Sequence, residues 1–228
     1  MLVNFRVDPE VMQRHLPGRF RPKLHEGHAV AGICLIRLEH IRPKLLPPIV
    51  GLSSENAAHR VAVLWEDENN HPREGVFIPR RDTSSLMNHL AGGRIFSGEH
   101  HRAAFVTQQS DSEISLEMKS QDASVAVRIT GTITDKLPES SIFSSLSAAS
   151  SFFEKGSLGY SVTSDRNRLD GLVLATKQWR VEALDVAEVS SSYFGNERMF
   201  PPGSAEFDHA LIMRNIEHEW HSAPDLYV

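Results

Sequence analysis

Apolar and polar residues alternate with a period of two through most of this chain, which is the pattern of half-buried strands. Residues 28–41, HAVAGICLIRLEHI, are β-branched and apolar and predict one long strand, bent or bulged at Gly32. HRVAVLWED (59–67) and GVFIP (75–79) predict two more, separated by the turn ENNHPREG. HRAAFVTQQ, EISLEMKS and ASVAVRITGTI alternate cleanly between SDS and QDA and predict an antiparallel meander. Later come LGYSVTS, the turn DRNRLDG, two strands over LVLATKQWRVEALDV and a last strand over HALIMRNIEHEW.

Helical spacing is confined to three short stretches. VDPEVMQRHL has Asp8 as N-cap and Pro9 at the first helical position. TSSLMNHLAGG predicts a second helix, with Asp82 as its N-cap and Gly92 at its end. The third opens at Pro138, sets Ile142, Leu146, Ala149 and Phe153 on one face and closes at Lys155-Gly156. RPKLLPPIVGL is a proline-rich loop, since Pro43, Pro47 and Pro48 cannot donate to a central ladder. Roughly ten strands and three short helices, with no repeat and no compositional break, predict one mainly β domain over residues 1–228, closed or nearly closed, with a few peripheral helices.

Composition narrows the function classes. The net charge of −5 gives no electrostatic footprint for nucleic acid or an anionic membrane. No apolar run approaches the ~20 residues of a membrane helix, and MLVNFRVDPE lacks the apolar stretch of a signal peptide. The single cysteine, Cys34, excludes an intrachain disulfide; within AVAGICLI it reads as a small buried hydrophobe. A cytoplasmic location is the expectation.

Several familiar motifs are absent. No GxSxG, P-loop or GxGxxG occurs. In EHEWH (217–221) the histidines are three apart on an expected strand and so point to opposite faces, unable to chelate one metal. DRNRLDG places Leu169 where a calcium loop needs an oxygen ligand. No metal and no cofactor is expected.

Three constellations stay open. Arg80-Arg81-Asp82 offers guanidiniums that match a carboxylate, with Arg80 the candidate. Arg60 sits in an apolar strand, where a buried cation needs a partner or a ligand; Glu55, in the preceding SSEN stretch, is the candidate partner. His100 and His101, in GGRIFSGEHHRAAF, are an adjacent pair among twelve histidines. On a strand they face opposite sides, so they are either one solvent and one core histidine, or one of them faces a cavity as general acid or base.

In order along the chain stand the early helix with LPGRF, HAVAGICLIRLEHIRP, LPPIVGLS, Arg60, FFEKGSLGYSV, Trp179 and FGNERMFPPGSAEFDHALIMRNIEHEWH. Together they resemble the YqjF-like family of uncharacterised proteins (domain of unknown function 2071), whose fold is akin to acetoacetate decarboxylase. The resemblance implies a large antiparallel β-barrel or cone with helices around it and an interior cavity for a small molecule. Acetoacetate decarboxylase uses a lysine that forms a Schiff base with its β-keto acid, following a Gly-Arg-Glu motif; that enzyme is the standard example of a lysine activated by a neighbouring cation. Here Gly93-Arg94 matches the Gly-Arg, and the lysine positions fall on or near His100 and His101, which cannot form an imine.

The leading expectation is therefore a small-molecule binding barrel without Schiff-base chemistry. It would take a carboxylic acid, with His100 and His101 as candidate catalytic residues and Arg60, Glu55, Arg94 and Arg80 as candidate ligand contacts. The rival is a lyase or decarboxylase acting on a keto acid by a non-imine mechanism, and a third class is a protein-binding module. Homo-oligomerisation is compatible with either of the first two.

Overall fold

The computed structural model describes residues 1–41, 52–86 and 98–228. Among them the chain forms fourteen strands: β1 Leu2–Val7, β2 Arg21–Pro22, β3 Leu24–His25, β4 His28–Ile41, β5 Leu52–Glu66, β6 Pro72–Thr83, β7 His100–Gln109, β8 Glu113–Ser120, β9 Ala126–Thr134, β10 Leu158–Val162, β11 Arg168–Thr176, β12 Glu182–Ser191, β13 Ala205–Ile212 and β14 His218–Tyr227. Two helices accompany them among the described residues, α1 Pro9–Gln13 and α2 Leu146–Glu154. No helix among the described residues is long and apolar enough to cross a membrane.

Nine strands close on themselves in the order β5-β6-β7-β8-β9-β12-β13-β1-β4 and back to β5. The sheet forks at β6: residues 81–83 pair with β7, whereas residues 76–78 pair in parallel with β10, which carries β11 and β14 as a side branch. Apolar side chains from all nine barrel strands, among them Val3, Ile33, Val61, Phe77, Ala103, Met118, Ile129, Leu184 and Ala210, form one cluster that fills the barrel. Ile33, Met118, Ile129 and Leu184 are almost fully buried, and each is worth about 1.5–3 kcal/mol of burial. A second, smaller cluster of Val30, Ala62, Phe143, Ala149, Phe153, Ala183 and Leu211 lies on the opposite face of the same wall, beneath α2.

The expected mainly β barrel with peripheral helices is what forms, and β4 occupies residues 28–41 as the pattern predicts. Asp8 caps α1, accepting from the backbone N–H groups of Glu10 and Val11. Other expectations need correction. The third predicted helix begins at Leu146, eight residues after Pro138, because Ser145 supplies the cap by accepting from Ala148 N–H at 3.1 Å. The single strand expected over 209–220 is two, β13 and β14, and Asn215 between them takes a positive φ of 54°. Asp82 is inside β6, not at a helix start. The proline-rich loop and most of the second expected helix fall on residues 42–51 and 87–97, outside the described residues.

Gly32 is not a bulge, because β4 stays in register on both sides of it. A Cβ there would lie 2.3 Å from the carbonyl oxygen of Val3, so close approach of β1 is what requires glycine. The irregularities lie next door instead. Between β5 and β6 the register shifts opposite Arg60, where Ile78 and Pro79 are accommodated, a position at which a proline costs no ladder bond. Between β1 and β13 it shifts at Asp208.

Candidate functional site

The register sets four residues in a row across four barrel strands. His209 of β13 pairs with Asn4 of β1, Asn4 with Gly32 of β4, and Gly32 with Arg60 of β5. Directly paired residues share a face of a sheet, and here it is the outer face, turned toward α2. Gly32 has no side chain to block the row. The long Arg60 side chain crosses it and donates from Nη2 to Asn4 Oδ1 at 2.5 Å.

That contact orders everything behind it. A guanidinium can only donate, so Asn4 presents its carbonyl to Arg60 and its Nδ2–H group to His209. Nε2 of His209, 3.0 Å away, must then accept, which puts the ring proton on Nδ1, and Nδ1–H donates to Asp208 Oδ2 at 2.5 Å. Adjacent residues 208 and 209 can meet this way because Asp208 is the bulged residue. Asp208 also accepts from Ser141 Oγ and from the backbone N–H of Ile142. Burial opposes its charge, but the hydrogen bonds from His209, Ile142 and Ser141 prevail and hold its carboxyl below the usual range. Asp208 is in addition 3.5 Å from Arg6 Nη1, so its charge has a nearer cation than Arg60.

Arg60 itself is 4% exposed. Nε donates to Cys34 Sγ at 3.0 Å, and the guanidinium lies 4.8 Å from the centre of the Phe153 ring of α2. Nη1 is buried and has no hydrogen-bond partner among the described residues. Arg60 lines a cavity of about 150 Å³ between the outer face of β4, β5 and β6, the C-terminal end of α2, and the branch β10-β11-β14. Apolar walls dominate, with Ile36, Ala58, Ile78, Phe153, Leu172 and Leu174 among them. A second buried donor without a partner among the described residues, Trp220 Nε1, belongs to a residue on the same wall. Arg81 also lines it; its Nε donates to Ser161 Oγ, and burial pushes the guanidinium down to about 10.

The cavity is thus not in the barrel interior, as the resemblance implied, but on the other side of the barrel wall. The interior is filled by aromatic and aliphatic side chains. The FFEKGSLGYSV segment supplies the roof: Phe152, Phe153, Glu154, Lys155, Gly156, Ser157 and Gly159 all line it.

The residues singled out from sequence are dispersed. Arg60 is central. Glu55 does not partner it: five residues of extended strand separate them by about 17 Å and place them on opposite faces. Glu55 instead pairs across the ladder with Arg37, at 2.8 and 2.7 Å. Arg80 does not line the cavity; it is bound to Asp82 at 2.8 and 2.9 Å and to Asp122 at 3.3 Å. Arg94 lies outside the described residues, as do Gly93 and residues 95–97. Gly98, at φ 88°, turns the chain against Ser161, where a Cβ would meet the serine Cβ at 2.5 Å.

His100 and His101 then begin β7 on opposite faces. His100 is buried, donates from Nδ1 to Gly98 O, and lines a smaller hollow of about 30 Å³ together with Arg81 and Asp82. This hollow shares Ile36, Ala58, Arg81, Leu172 and Trp220 with the main cavity. His101 is half-exposed and faces Asp122 at 3.6 Å. Among the described residues no group of three or more His, Cys, Asp or Glu is placed to hold a metal ion.

Asn4, Asp208 and His209 were not singled out from sequence. The available signal was a polar residue inside an apolar strand, in LVNFRV and FDHALI, the same signal that marked Arg60. Cys34 is half-buried and accepts from a guanidinium, so it is not the fully buried small hydrophobe expected.

The family profile described as DUF2071, an uncharacterized conserved protein, matches residues 1–213. No curated protein matches the chain. Among solved structures, the enduracididine biosynthesis enzyme MppR superposes with a TM-score of 0.55 at 12% identity, covering 100% of this chain and 84% of that one. An acetoacetate decarboxylase-like enzyme from Sphingomonas wittichii RW1 gives 0.51 at 12%, over 97% of this chain and 83% of that one. The acetoacetate decarboxylase of Legionella pneumophila subsp. pneumophila str. Philadelphia 1 gives 0.50 at 14%, over 97% and 78%. At these identities the likeness is one of fold.

Proposed function

The chain belongs to the DUF2071 family of uncharacterized conserved proteins and has the acetoacetate decarboxylase-like fold, and from that premise we propose that it binds a small carboxylic acid in the cavity beneath α2. The observation that carries this reading is Arg60, a buried cation on the wall of an apolar cavity, whose Nη1 has no hydrogen-bond partner among the described residues. Burying a guanidinium is costly unless an anion or acceptor completes its shell. The bonds to Asn4 and Cys34 satisfy Nη2 and Nε, and a ligand carboxylate on Nη1 would supply both the missing acceptor and the missing negative charge. Trp220 Nε1 adds a second donor, so the buried unsatisfied groups on this wall both call for an acceptor. A volume of about 150 Å³ suits an acid of a few heavy atoms.

Related folds lend the substrate class some support, since MppR has been solved in complex with pyruvate. Imine chemistry is not part of the reading. The lysines on the cavity wall are Lys23, held by Glu74 at 2.6 Å, and Lys155, which is exposed at the end of α2. His100, in the adjoining hollow with Arg81, is the group through which a non-imine proton transfer would run if the ligand is also a substrate.

Thermal unfolding with acetate, glyoxylate and pyruvate, against acetamide as the uncharged control, tests the reading. At about 100 times its Kd a bound acid adds about 2.7 kcal/mol, a rise of several degrees for a chain of this size. Acids should stabilise and acetamide should not, and Arg60→Met should lose the response. Equal shifts for acid and amide, or no shift with any acid, would overturn it. Borohydride reduction in the presence of pyruvate should leave the mass unchanged; a trapped adduct on a lysine would restore the imine mechanism.

A further inference from the structure

A carboxylate on Arg60 leaves a second guanidinium on the same cavity wall uncompensated. Ala58 of β5 pairs with Cys34 of β4 on one side and with Arg81 of β6 on the other, two residues along from the row that carries Arg60. Positions 58 and 60 share a face, so Arg60 and Arg81 are diagonal neighbours on adjacent strands, and both line the cavity. Their side chains lean apart. Arg60 reaches over β4 to Cys34 and Asn4, whereas Arg81 reaches away from β5 to β10, where its Nε donates to Ser161 Oγ at 2.9 Å. Ala58, with its small side chain, lines the cavity between them.

Neither guanidinium is paired with a carboxylate among the described residues. The acidic side chains around Arg81 are engaged elsewhere. Asp82 is held by Arg80 at 2.8 Å, and Asp170, opposite Ser161 on β11, accepts from Gly98 N–H at 3.0 Å and meets Arg168 at 3.4 Å. Among the described residues lining the cavity, the cations Lys23, Arg60, Arg81 and Lys155 face one carboxylate, Glu154, which is exposed on α2. Burial lowers the Arg81 guanidinium, and no described carboxylate raises it again.

We propose that the acid taken by this cavity is a short dicarboxylic acid, with one carboxylate on Arg60 and the other on Arg81, and that Arg81 selects a diacid over a monoacid. This rests on the carboxylate reading above and narrows its substrate class. A monoacid compensates one buried cation and leaves the other, and because the two forks lean apart a single carboxylate does not serve both. In a diacid the carbons between the acid groups would lie along the apolar wall of Ile36, Ala58 and Leu172. Those three residues and Arg81 also border the adjoining hollow of about 30 Å³, which leaves room for the second acid group at the Arg81 end.

Calorimetric titration of the full-length chain at constant ionic strength tests this with three ligands of equal chain length: succinate, its half-amide succinamate, and butyrate. Succinate should bind about tenfold or more tighter than either monoacid, the effect of one further charged hydrogen-bonded contact. Arg81→Met should erase that preference. Equal affinity of the parent for succinate and succinamate would overturn the second anchor, and so would a preference for succinate that survives in Arg81→Met. The comparison of ligands on the parent chain needs no variant, so it decides the matter even where Arg81→Met does not fold. If the monoacids bind and succinate binds no tighter, carboxylate binding at Arg60 stands and the diacid falls; if none of the three binds, the carboxylate reading has failed and the diacid with it.

Discussion

His59 and Arg60 are neighbours on β5, and both carry buried nitrogens without hydrogen-bond partners among the described residues, yet they stand in opposite situations. His59 points into the filled barrel, fully buried, its ring 4.5 Å from that of Tyr193 and close to Phe194. Neither ring nitrogen has a partner among the described residues, and burial, helped by the nearby Arg80 charge, pushes its pKa down to about 3. The ring is held as a neutral, flat filler. Arg60 points the other way, to the wall of the cavity, and Asn4 of β1 and Cys34 of β4 fix its guanidinium except for Nη1. An unsatisfied buried atom therefore does not by itself mark a site. It does so when the rest of the group is organised by polar partners and the residue borders a cavity. His59 fails both conditions.

The largest effect should come from breaking the organisation around Arg60. Asn4→Leu leaves Arg60 Nη2 and His209 Nε2 without partners in a place water reaches poorly, and stranding a buried cation of this kind costs about 3–5 kcal/mol. Chemical denaturation of the variant should show a loss of that size, together with a lost thermal response to acetate. His209→Phe should destabilise less and keep part of the response, since Asn4 still faces Arg60. If Asn4→Leu unfolds within about 1 kcal/mol of the parent, the row of bonds is not what holds Arg60.

On the other face of β5 the test is pH. Folded His59 stays neutral down to about pH 3, while in the unfolded chain it takes up a proton near its ordinary 6.5. Below 6.5 the unfolded state binds a proton that the fold refuses, so stability falls as pH drops, by up to about 1.4 kcal/mol per unit until about pH 3. The lowered carboxyls of Asp208 and Asp122 lose their contribution only at more acidic values, and the buried N-terminal amine, also lowered, contributes equally in parent and variant, so the difference between the two from about pH 6.5 to 4.5 belongs to His59. His59→Leu should remove this decline and, by replacing an unsatisfied ring with an apolar group, raise stability near neutral pH by about 1–3 kcal/mol. An unchanged acid slope in the variant would mean that the ring is not the refused proton site.

The same contrast explains how much could be read from the sequence. Strand alternation reports which residues face away from water, and β4, the β7-β8-β9 meander and the class of the fold follow from it. It does not say whether a buried face looks into a barrel or under a helix, because both sides of this wall are covered. Arg60 was recognisable as an anomaly, but its partners come from β1, β4 and β13, up to 205 residues apart in contact, and a register of that span leaves no local trace. Glu55 was chosen because it was near in sequence, which on a strand is the wrong measure. The two bulges that aim Asp208 and accommodate Pro79 are single-residue slips, invisible to a pattern of period two.

Glu55 supplies the smallest and most discriminating measurement. It lies on the strand of Arg60, and sequence proximity would make it that residue's counter-ion. In the structure its carboxylate meets Arg37, whose side chain is 44% exposed, so the pair is screened by water and worth about 0.2–1 kcal/mol. Glu55→Gln should therefore lower stability by no more than that and leave the thermal response to acetate as in the parent. Were Glu55 the partner of Arg60, the same change would strand a buried cation and cost several-fold more, with a stronger grip on added acid as the guanidinium sought a new anion. Denaturation midpoints with and without acetate, read on this one variant, decide between a surface pair and a buried one.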